Sequence, residues 1–271
     1  MSILEALILG IIQGATEFLP VSSSGHLVLV PAILGLPEPG LSAVVVVHQG
    51  TLLAALLYFR RDIGLILKGV WQGLATRRPL DNVESRLGWY IILASIPAAV
   101  AGYLLESKLE AAFADPRWSA GFLLLTALFL WLGERWLTGQ KGLEAMSWLD
   151  ALVIGVFQMF ALMPGLSRSG STITAGLVRG LNRPTAARFS FLLSLPVILG
   201  AGMLKLVELL GAPESSGEWL PLALAFVVSA ATGYACIHFL LQWLRQRSLI
   251  PFAIYCAAFG SLYLLFSFLW R

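Results

Sequence analysis

The sequence LPVSSSGH, residues 19–26, interrupts an otherwise apolar stretch that runs from residue 3 to residue 36. A second apolar stretch, residues 149–178, is broken in the same way by MPGLSRSGST at residues 163–172. Neither half of either stretch reaches the roughly 20 residues that a spanning helix needs. Broken helices at membrane depth are tolerated only where protein or a water-filled cavity surrounds the freed backbone. We therefore expect two re-entrant helical hairpins whose tips lie inside the protein.

The composition indicates a membrane protein. Of the 271 residues, 58% are hydrophobic and 12% are charged, whereas soluble domains carry about 25% charged residues. The net charge of +3 is spread over the whole chain, so no nucleic-acid partner is expected. Six further apolar runs are long enough to span a bilayer: about 41–59, 87–105, 119–136, 189–210, 219–243 and 249–270. We predict an all-α polytopic membrane protein with a single integral membrane domain over residues 1–271.

The charges of the loops orient these helices, because Lys and Arg stay on the cytoplasmic side. Loop 60–86 carries five Arg and one Lys, whereas loops 106–118 and 205–218 carry most of their charge as Glu and Asp. Six crossings then leave both termini outside. The loops predicted to lie inside are 60–86, 134–148, 179–188 and 245–248.

An internal repeat with an offset of 145 residues supports this scheme. It pairs Gly10 with Gly155, Gln13 with Gln158, Ser22 with Ser167, Ser24 with Ser169, and Gly25 with Gly170. Each half, about 1–143 and about 144–271, is then one hairpin followed by three transmembrane helices. Because three is odd, the second half is inverted relative to the first, and the two tips can meet near the midplane.

Ionisable residues inside a membrane protein are energetically unfavourable and usually functional. Those at the depth of the hairpins are Glu17, His26 and Arg168, with His48 nearby. Hydroxyl and amide side chains surround them: Gln13, Thr16, Ser22, Ser23, Ser24, Ser167, Ser169, Ser171 and Thr172. Single serines in membrane helices commonly bond to their own backbone, and a buried Arg commonly pairs with a carboxylate. Together, however, these residues suit a phosphate ester, because Arg binds phosphate oxygens and a hydroxyl near His is an activated nucleophile.

The two interrupted segments also resemble known motifs. QGATEFLPVSSSGH (13–26) and PGLSRSGSTIT (164–174) resemble the two signature motifs of bacterial undecaprenyl-pyrophosphate phosphatases of the bacitracin-resistance (BacA/UppP) family. Further similarity lies at 48–62, 189–202 and 250–255 and therefore covers nearly the whole chain in order. The resemblance implies a membrane enzyme that removes the terminal phosphate of undecaprenyl diphosphate, recycling the lipid carrier for peptidoglycan synthesis and conferring bacitracin resistance.

The resemblance also implies roles for individual residues. Ser23 stands at the position of the proposed nucleophile, His26 at that of the following histidine, and Arg168 at that of the arginine of the second motif. Glu17 matches the acidic position, whereas Gln13 stands where some members carry glutamate. The predicted binding residues are Gln13, Thr16, Ser22, Ser24, Ser167, Ser169 and Thr172.

The predicted mechanism follows from these roles. Arg168 and the hairpin N–H groups hold the diphosphate, Ser23 attacks the terminal phosphorus, and His26 takes its proton. Glu17 either orients His26 or binds a divalent cation, Mg²⁺ or Ca²⁺, at the phosphate oxygens. The sequence leaves open whether Ser23 or His26 is the nucleophile.

A transporter or flippase for a polyprenyl phosphate or another anionic lipid is the alternative, because inverted repeats with paired hairpins are common in transporters. The expected partners of the chain are a polyprenyl diphosphate substrate and the lipid bilayer, and whether it forms a homodimer is left open. We expect a bacterial inner membrane location, with the active site open to the outer face.

Overall fold

The computed structural model describes residues 1–137, 139–211 and 219–269, except for the side chains of residues 106–108, 110–113 and 204–211. This described part contains eleven α-helices and no β-strand. The helices are α1 (Ile3–Phe18), α2 (Ser23–Leu34), α3 (Leu41–Tyr58), α4 (Arg60–Ala75), α5 (Val83–Phe113), α6 (Pro116–Arg135), α7 (Trp148–Phe160), α8 (Arg168–Val178), α9 (Arg183–Gly211), α10 (Trp219–Trp243) and α11 (Ile250–Leu269).

Six of the described helices, α3, α5, α6, α9, α10 and α11, are long and apolar enough to cross a bilayer. They coincide with the six apolar runs that the sequence contains. Their outer faces expose large apolar side chains such as Val227, Ile254 and Leu262, and an apolar surface of this extent is stable in lipid rather than in water. The prediction of an all-α polytopic membrane protein is confirmed.

Each interrupted stretch forms a pair of short helices, α1 with α2 and α7 with α8. The longest of the four, α1, has 16 residues, which corresponds to about 24 Å and is less than the roughly 30 Å of a bilayer core. None of these four helices is therefore long enough to cross on its own.

The structure differs from the sequence prediction between residues 60 and 86, where α4 takes the place of the expected loop. Helix α4 is amphipathic: Ile66, Gly69 and Gly73 are buried, whereas Arg60, Arg61 and Lys68 are exposed. Charged residues interrupt the apolar residues of α4, so this segment contains no continuous apolar run that would predict a spanning helix. Residues 212–218 of the predicted outer loop lie outside the described residues.

Paired features of the two halves recur at the offset of 145 residues. Ser2 caps α1 and Ser147 caps α7, and in both cases the acidic residue three positions later completes a capping box. Helix α1 packs on α10 of the second half, and α7 packs on α5 of the first half. The first helix of each half therefore packs against a helix of the other half. The inverted orientation of the two halves in the membrane stays a prediction.

Labelling of introduced cysteines tests this inverted orientation. Leu4 and Leu149 are related by the offset, lie at the starts of α1 and α7, and are both exposed. With Cys236 and Cys256 replaced by alanine, we expect a membrane-impermeant maleimide to label Leu4→Cys from outside intact cells. Leu149→Cys should react only after the cells are opened. Labelling of both positions from the same side would contradict the inverted repeat.

Candidate active site

The first hairpin tip is the turn between α1 and α2. Pro20 does not continue α1, and Leu19 before it is extended, with φ −63° and ψ 142°. Ser22 caps α2 with φ at +70°, and its Oγ accepts a hydrogen bond from the Gly25 N–H at 3.2 Å. Ser23, the first residue of α2, is thereby placed at a helix N-terminus.

The second tip is the turn between α7 and α8. Gly165 has φ at +90°, and a Cβ at this position would overlap the backbone oxygen of Ser119, so only glycine fits here. Ser167 caps α8 by accepting from the Gly170 N–H at 3.0 Å. Thr126 of α6 secures the turn: its Oγ1 accepts from the Ser167 N–H at 2.9 Å and donates to the Gly165 carbonyl at 3.0 Å.

The two tips contact each other directly. The Gly165 N–H donates to Ser24 Oγ at 3.4 Å, and Ser169 Oγ donates to the Leu19 carbonyl at 3.2 Å. Backbone groups freed by one broken helix are thus satisfied by the other hairpin, which is how buried breaks are tolerated in membrane proteins.

Glu17 of α1 and Arg168 of α8 join the tips electrostatically. Arg168 Nη2 donates to Glu17 Oε1 at 2.7 Å. The Ser23 hydroxyl donates to Glu17 Oε2 at 2.6 Å, and Gln13 Nε2 donates to the same oxygen at 2.9 Å. The side chains of Glu17 and Arg168 are only 7% and 14% exposed, so each charge must compensate the other's loss of hydration. A hydroxyl held by a carboxylate in this way is oriented to give up its proton during nucleophilic attack.

A cavity of about 400 Å³ lies beside this network, within the range of roughly 300–1,000 Å³ of small-molecule sites. The N-termini of α2 and α8 both lie at its polar wall, where backbone N–H groups and helix dipoles attract anions. The polar wall comprises Thr16, Glu17, Ser22, Ser23, Ser24, Ser167 and Arg168. The facing wall is mainly apolar and includes Leu41, Val44, Val45, Val197 and Ile198. The cavity therefore suits an anionic headgroup attached to an apolar chain.

Of the predicted site residues, Gln13, His26, Ser169 and Thr172 are not among those that line this cavity. Gln13 acts through its bond to Glu17, and Ser169 through the contact between the tips. Thr172 Oγ1 donates to the Arg168 carbonyl at 2.8 Å and shares a hydrogen bond of 2.7 Å with Ser190 Oγ. These three residues do not line the cavity but bond residues at the two hairpin tips that form its polar wall.

The imidazole of His26 has partners other than the one predicted from the sequence. Its Nδ1 donates to the Ser22 carbonyl at 2.7 Å, and its Nε2 lies 2.6 Å from the Tyr255 hydroxyl. The ring also stacks on Phe259, with 5.0 Å between centroids. The structure therefore pairs the Ser23 hydroxyl with Glu17 and not with His26, because the side chain of His26 is turned towards α11.

Three polar residues outside the predicted set line the cavity: His48, Gln49 and Gln158. Gln49 Nε2 and Gln158 Oε1 are buried without a hydrogen-bond partner among the described residues. Two sequence signals point to these positions. Gln158 is related by the repeat to Gln13, and His48 and Gln49 form a polar pair within a spanning helix.

The donor set at this site does not fit a resident divalent cation. Among the residues that the structure describes, Glu17 is the only carboxylate that lines the cavity. Its two oxygens are already bonded to Arg168, Ser23 and Gln13. No cluster of three His, Cys, Asp or Glu side chains occurs within the ranges that the structure describes. Mg²⁺ and Ca²⁺ require several oxygen ligands, so most of them would have to come from a bound diphosphate.

Comparison with known proteins shows to which family the chain belongs. The family model described as bacitracin resistance protein BacA matches residues 6–262. The chain belongs to this family. Its match leaves out only a few residues at each end and includes both hairpin tips.

Curated relatives match over nearly their full length. A protein of Chlorobium phaeobacteroides (strain BS1) named undecaprenyl-diphosphatase is 45% identical, over 96% of this chain and 95% of its own. Proteins of the same name from Pelobacter propionicus and Alteromonas mediterranea are 46% and 43% identical. The first of these matches 94% of this chain and 93% of its own, and the second 99% and 100%.

Replacing Arg168 alone leaves Glu17 as a buried charge without its counter-ion. We expect Arg168→Met to lower the free energy of unfolding by about 3 kcal/mol or more. The double variant Glu17→Gln/Arg168→Met should regain most of this loss, because neither charge remains. Unfolding of the purified variants in detergent, followed by circular dichroism, measures both effects. A double variant no more stable than the single one would contradict this account of the ion pair.

Gly165 provides a test of the second tip. We expect Gly165→Ala to lower stability by about 2 kcal/mol or more, because the backbone conformation disfavours a side chain and the added Cβ has no room. Gly121→Ala in α6 is the matched control, since a Cβ there meets no described atom within 4 Å. This control should be neutral or slightly stabilising. Equal melting temperatures for the two variants would show that the turn is not constrained as described.

Proposed function

We propose that this protein is a phosphatase that removes the terminal phosphate of undecaprenyl diphosphate, with Ser23 as the nucleophile. The observation that carries the proposal is the Ser23 hydroxyl donating to Glu17 at 2.6 Å, beside an arginine and two helix N-termini at one cavity. The family and the names of the relatives support the same activity.

Arg168 binds the diphosphate in this proposal. A guanidinium carries five N–H groups, of which the contacts to Glu17 and to the Ser190 carbonyl use two. The other three have no hydrogen-bond partner among the described residues and are available to phosphate oxygens, which match the planar geometry of arginine. The N–H groups at the starts of α2 and α8 add to the positive potential of the polar wall.

The chemistry proceeds in two steps. The Ser23 oxygen forms a bond to the terminal phosphorus while the bridging P–O bond breaks and undecaprenyl phosphate leaves. Glu17 receives the hydroxyl proton, since it is the group bonded to Ser23. Water then hydrolyses the phosphoserine. His26 contributes by donating a hydrogen bond to the Ser22 carbonyl and thereby holding the turn that presents Ser23.

The apolar wall formed by α3 and α9 accommodates the part of the lipid next to the diphosphate. We propose that the enzyme works in the bacterial inner membrane with its site open to the outer face. Its product re-enters peptidoglycan synthesis, and faster recycling of the carrier confers resistance to bacitracin.

Removal of the Ser23 hydroxyl is the direct test. We expect Ser23→Ala to lower phosphate release from undecaprenyl diphosphate by more than about 1,000-fold, because the nucleophile is lost. Ser171→Ala is the matched control from the second motif, since Ser171 Oγ is buried and bonded to no described group. It should keep an activity close to that of the unchanged protein in detergent.

Acid quenching adds a second measurement. With the terminal phosphate labelled by ³²P, the unchanged protein should yield labelled phosphoserine at Ser23, located by mass spectrometry. Phosphate release that survives Ser23→Ala would remove Ser23 as the nucleophile. Lipid binding without any release by the unchanged protein would instead favour a carrier of anionic lipids.

A further inference from the structure

His48 is an ionisable side chain of the cavity to which the reaction above assigns no role. It lies in α3, and its Nδ1 donates to the Val44 carbonyl at 2.8 Å. This bond places the proton of the neutral ring on Nδ1 and leaves the lone pair on Nε2. Nε2 lies 3.9 Å from Glu17 Oε2, which is the oxygen bonded to Ser23. The side chain is 29% exposed and lines the cavity.

The charged groups that line the cavity with His48 are Glu17 of α1 and Arg168 of α8. Helix α9, packed on the same side, contributes Val197, Ile198 and Ala201 to the wall. Helix α10 lies against another face of α3, where Phe226 and Ser229 approach Gly50. Glu17 is therefore the acidic group nearest to Nε2 in the described part of the chain.

The first step of the reaction creates a proton that must be held until the second step. Glu17 is a poor store for it, because a protonated Glu17 gives up its ion pair with Arg168 while both are buried. Imidazole is a stronger base than a carboxylate by about two pKa units in water. A movement of about 1 Å brings Nε2 within hydrogen-bond distance of Glu17 Oε2.

We propose that His48 stores the proton of Ser23 during the lifetime of the phosphoserine. In the first step the proton passes from Ser23 Oγ through Glu17 Oε2 to His48 Nε2, and undecaprenyl phosphate leaves. In the second step water adds to phosphorus, the Ser23 O–P bond breaks, and Ser23 Oγ regains the proton from His48. Both protons of the water stay on the phosphate, which leaves as H₂PO₄⁻. Glu17 remains ionised at the end of each step and keeps its pair with Arg168.

This inference rests on the proposed phosphatase function, and its test uses the same assay. We expect His48→Gln to lower kcat/KM for undecaprenyl diphosphate by about 100-fold, the range of general acid–base catalysis. The rate of the unchanged protein should fall towards acidic pH, and this fall should be absent in His48→Gln. The matched control is His238→Gln, which changes an exposed histidine of α10 whose Nδ1 lies 3.3 Å from the Tyr58 hydroxyl. It should retain both the rate and the pH profile.

Chemical rescue separates a proton store from a structural histidine. Added imidazole should raise the rate of His48→Ala with saturation, and it should leave His238→Ala unchanged. This measurement also serves if the glutamine variant purifies poorly. A His48→Gln protein with the rate and acid limb of the unchanged enzyme, or a His48→Ala protein that imidazole does not rescue, overturns the proposal. Absence of phosphate release by the unchanged protein would overturn the proposed function itself. That result differs from failure of the His48 proposal, in which the unchanged protein still releases phosphate.

Discussion

The ion pair between Glu17 and Arg168 is the interaction on which the site depends. It joins residues 151 positions apart in the sequence and holds the two hairpin tips together. A charge buried at this depth is strongly unfavourable alone, so each residue is stable only because the other is present. The same carboxylate binds Ser23 through its second oxygen. One buried group therefore couples the assembly of the two hairpins to the orientation of the proposed nucleophile.

Each hairpin also depends on the other for hydrogen bonds to its backbone. Both are broken by proline or glycine, and a break frees N–H and C=O groups that lipid cannot satisfy. The hydroxyl side chains of Ser24 and Ser169 bond such groups across the contact between the two tips. Thr126 of α6 bonds the freed groups of the second turn. The serines and threonines of the motifs thus have two tasks. Some line the cavity, and others replace the hydrogen bonds that the broken helices have lost.

Local pattern was sufficient to predict much of this molecule. The lengths of the apolar runs predicted the six spans, and the interruptions at Pro20 and Pro164 predicted the four short helices. The partner of His26 could not be predicted, because Tyr255 lies 229 residues away and no local signal joins the two. Helix α4 was missed because its charges conceal its apolar face. A local sequence pattern does not show which distant segments contact each other. The detailed geometry of the site consists of such contacts and therefore could not be predicted.

The offset that relates the two halves also relates Ser23 to Arg168, since each is the first residue of its helix and follows a capping serine. Equivalent positions thus carry the proposed nucleophile on one hairpin and a cation on the other. Two copies of the first half would carry two serines and no arginine at these positions, and two copies of the second half would carry two arginines and no serine. The cavity is consequently asymmetric although the helices around it are repeated. An asymmetric cavity can tell apart the two ends of a diphosphate, one bearing a lipid and one free.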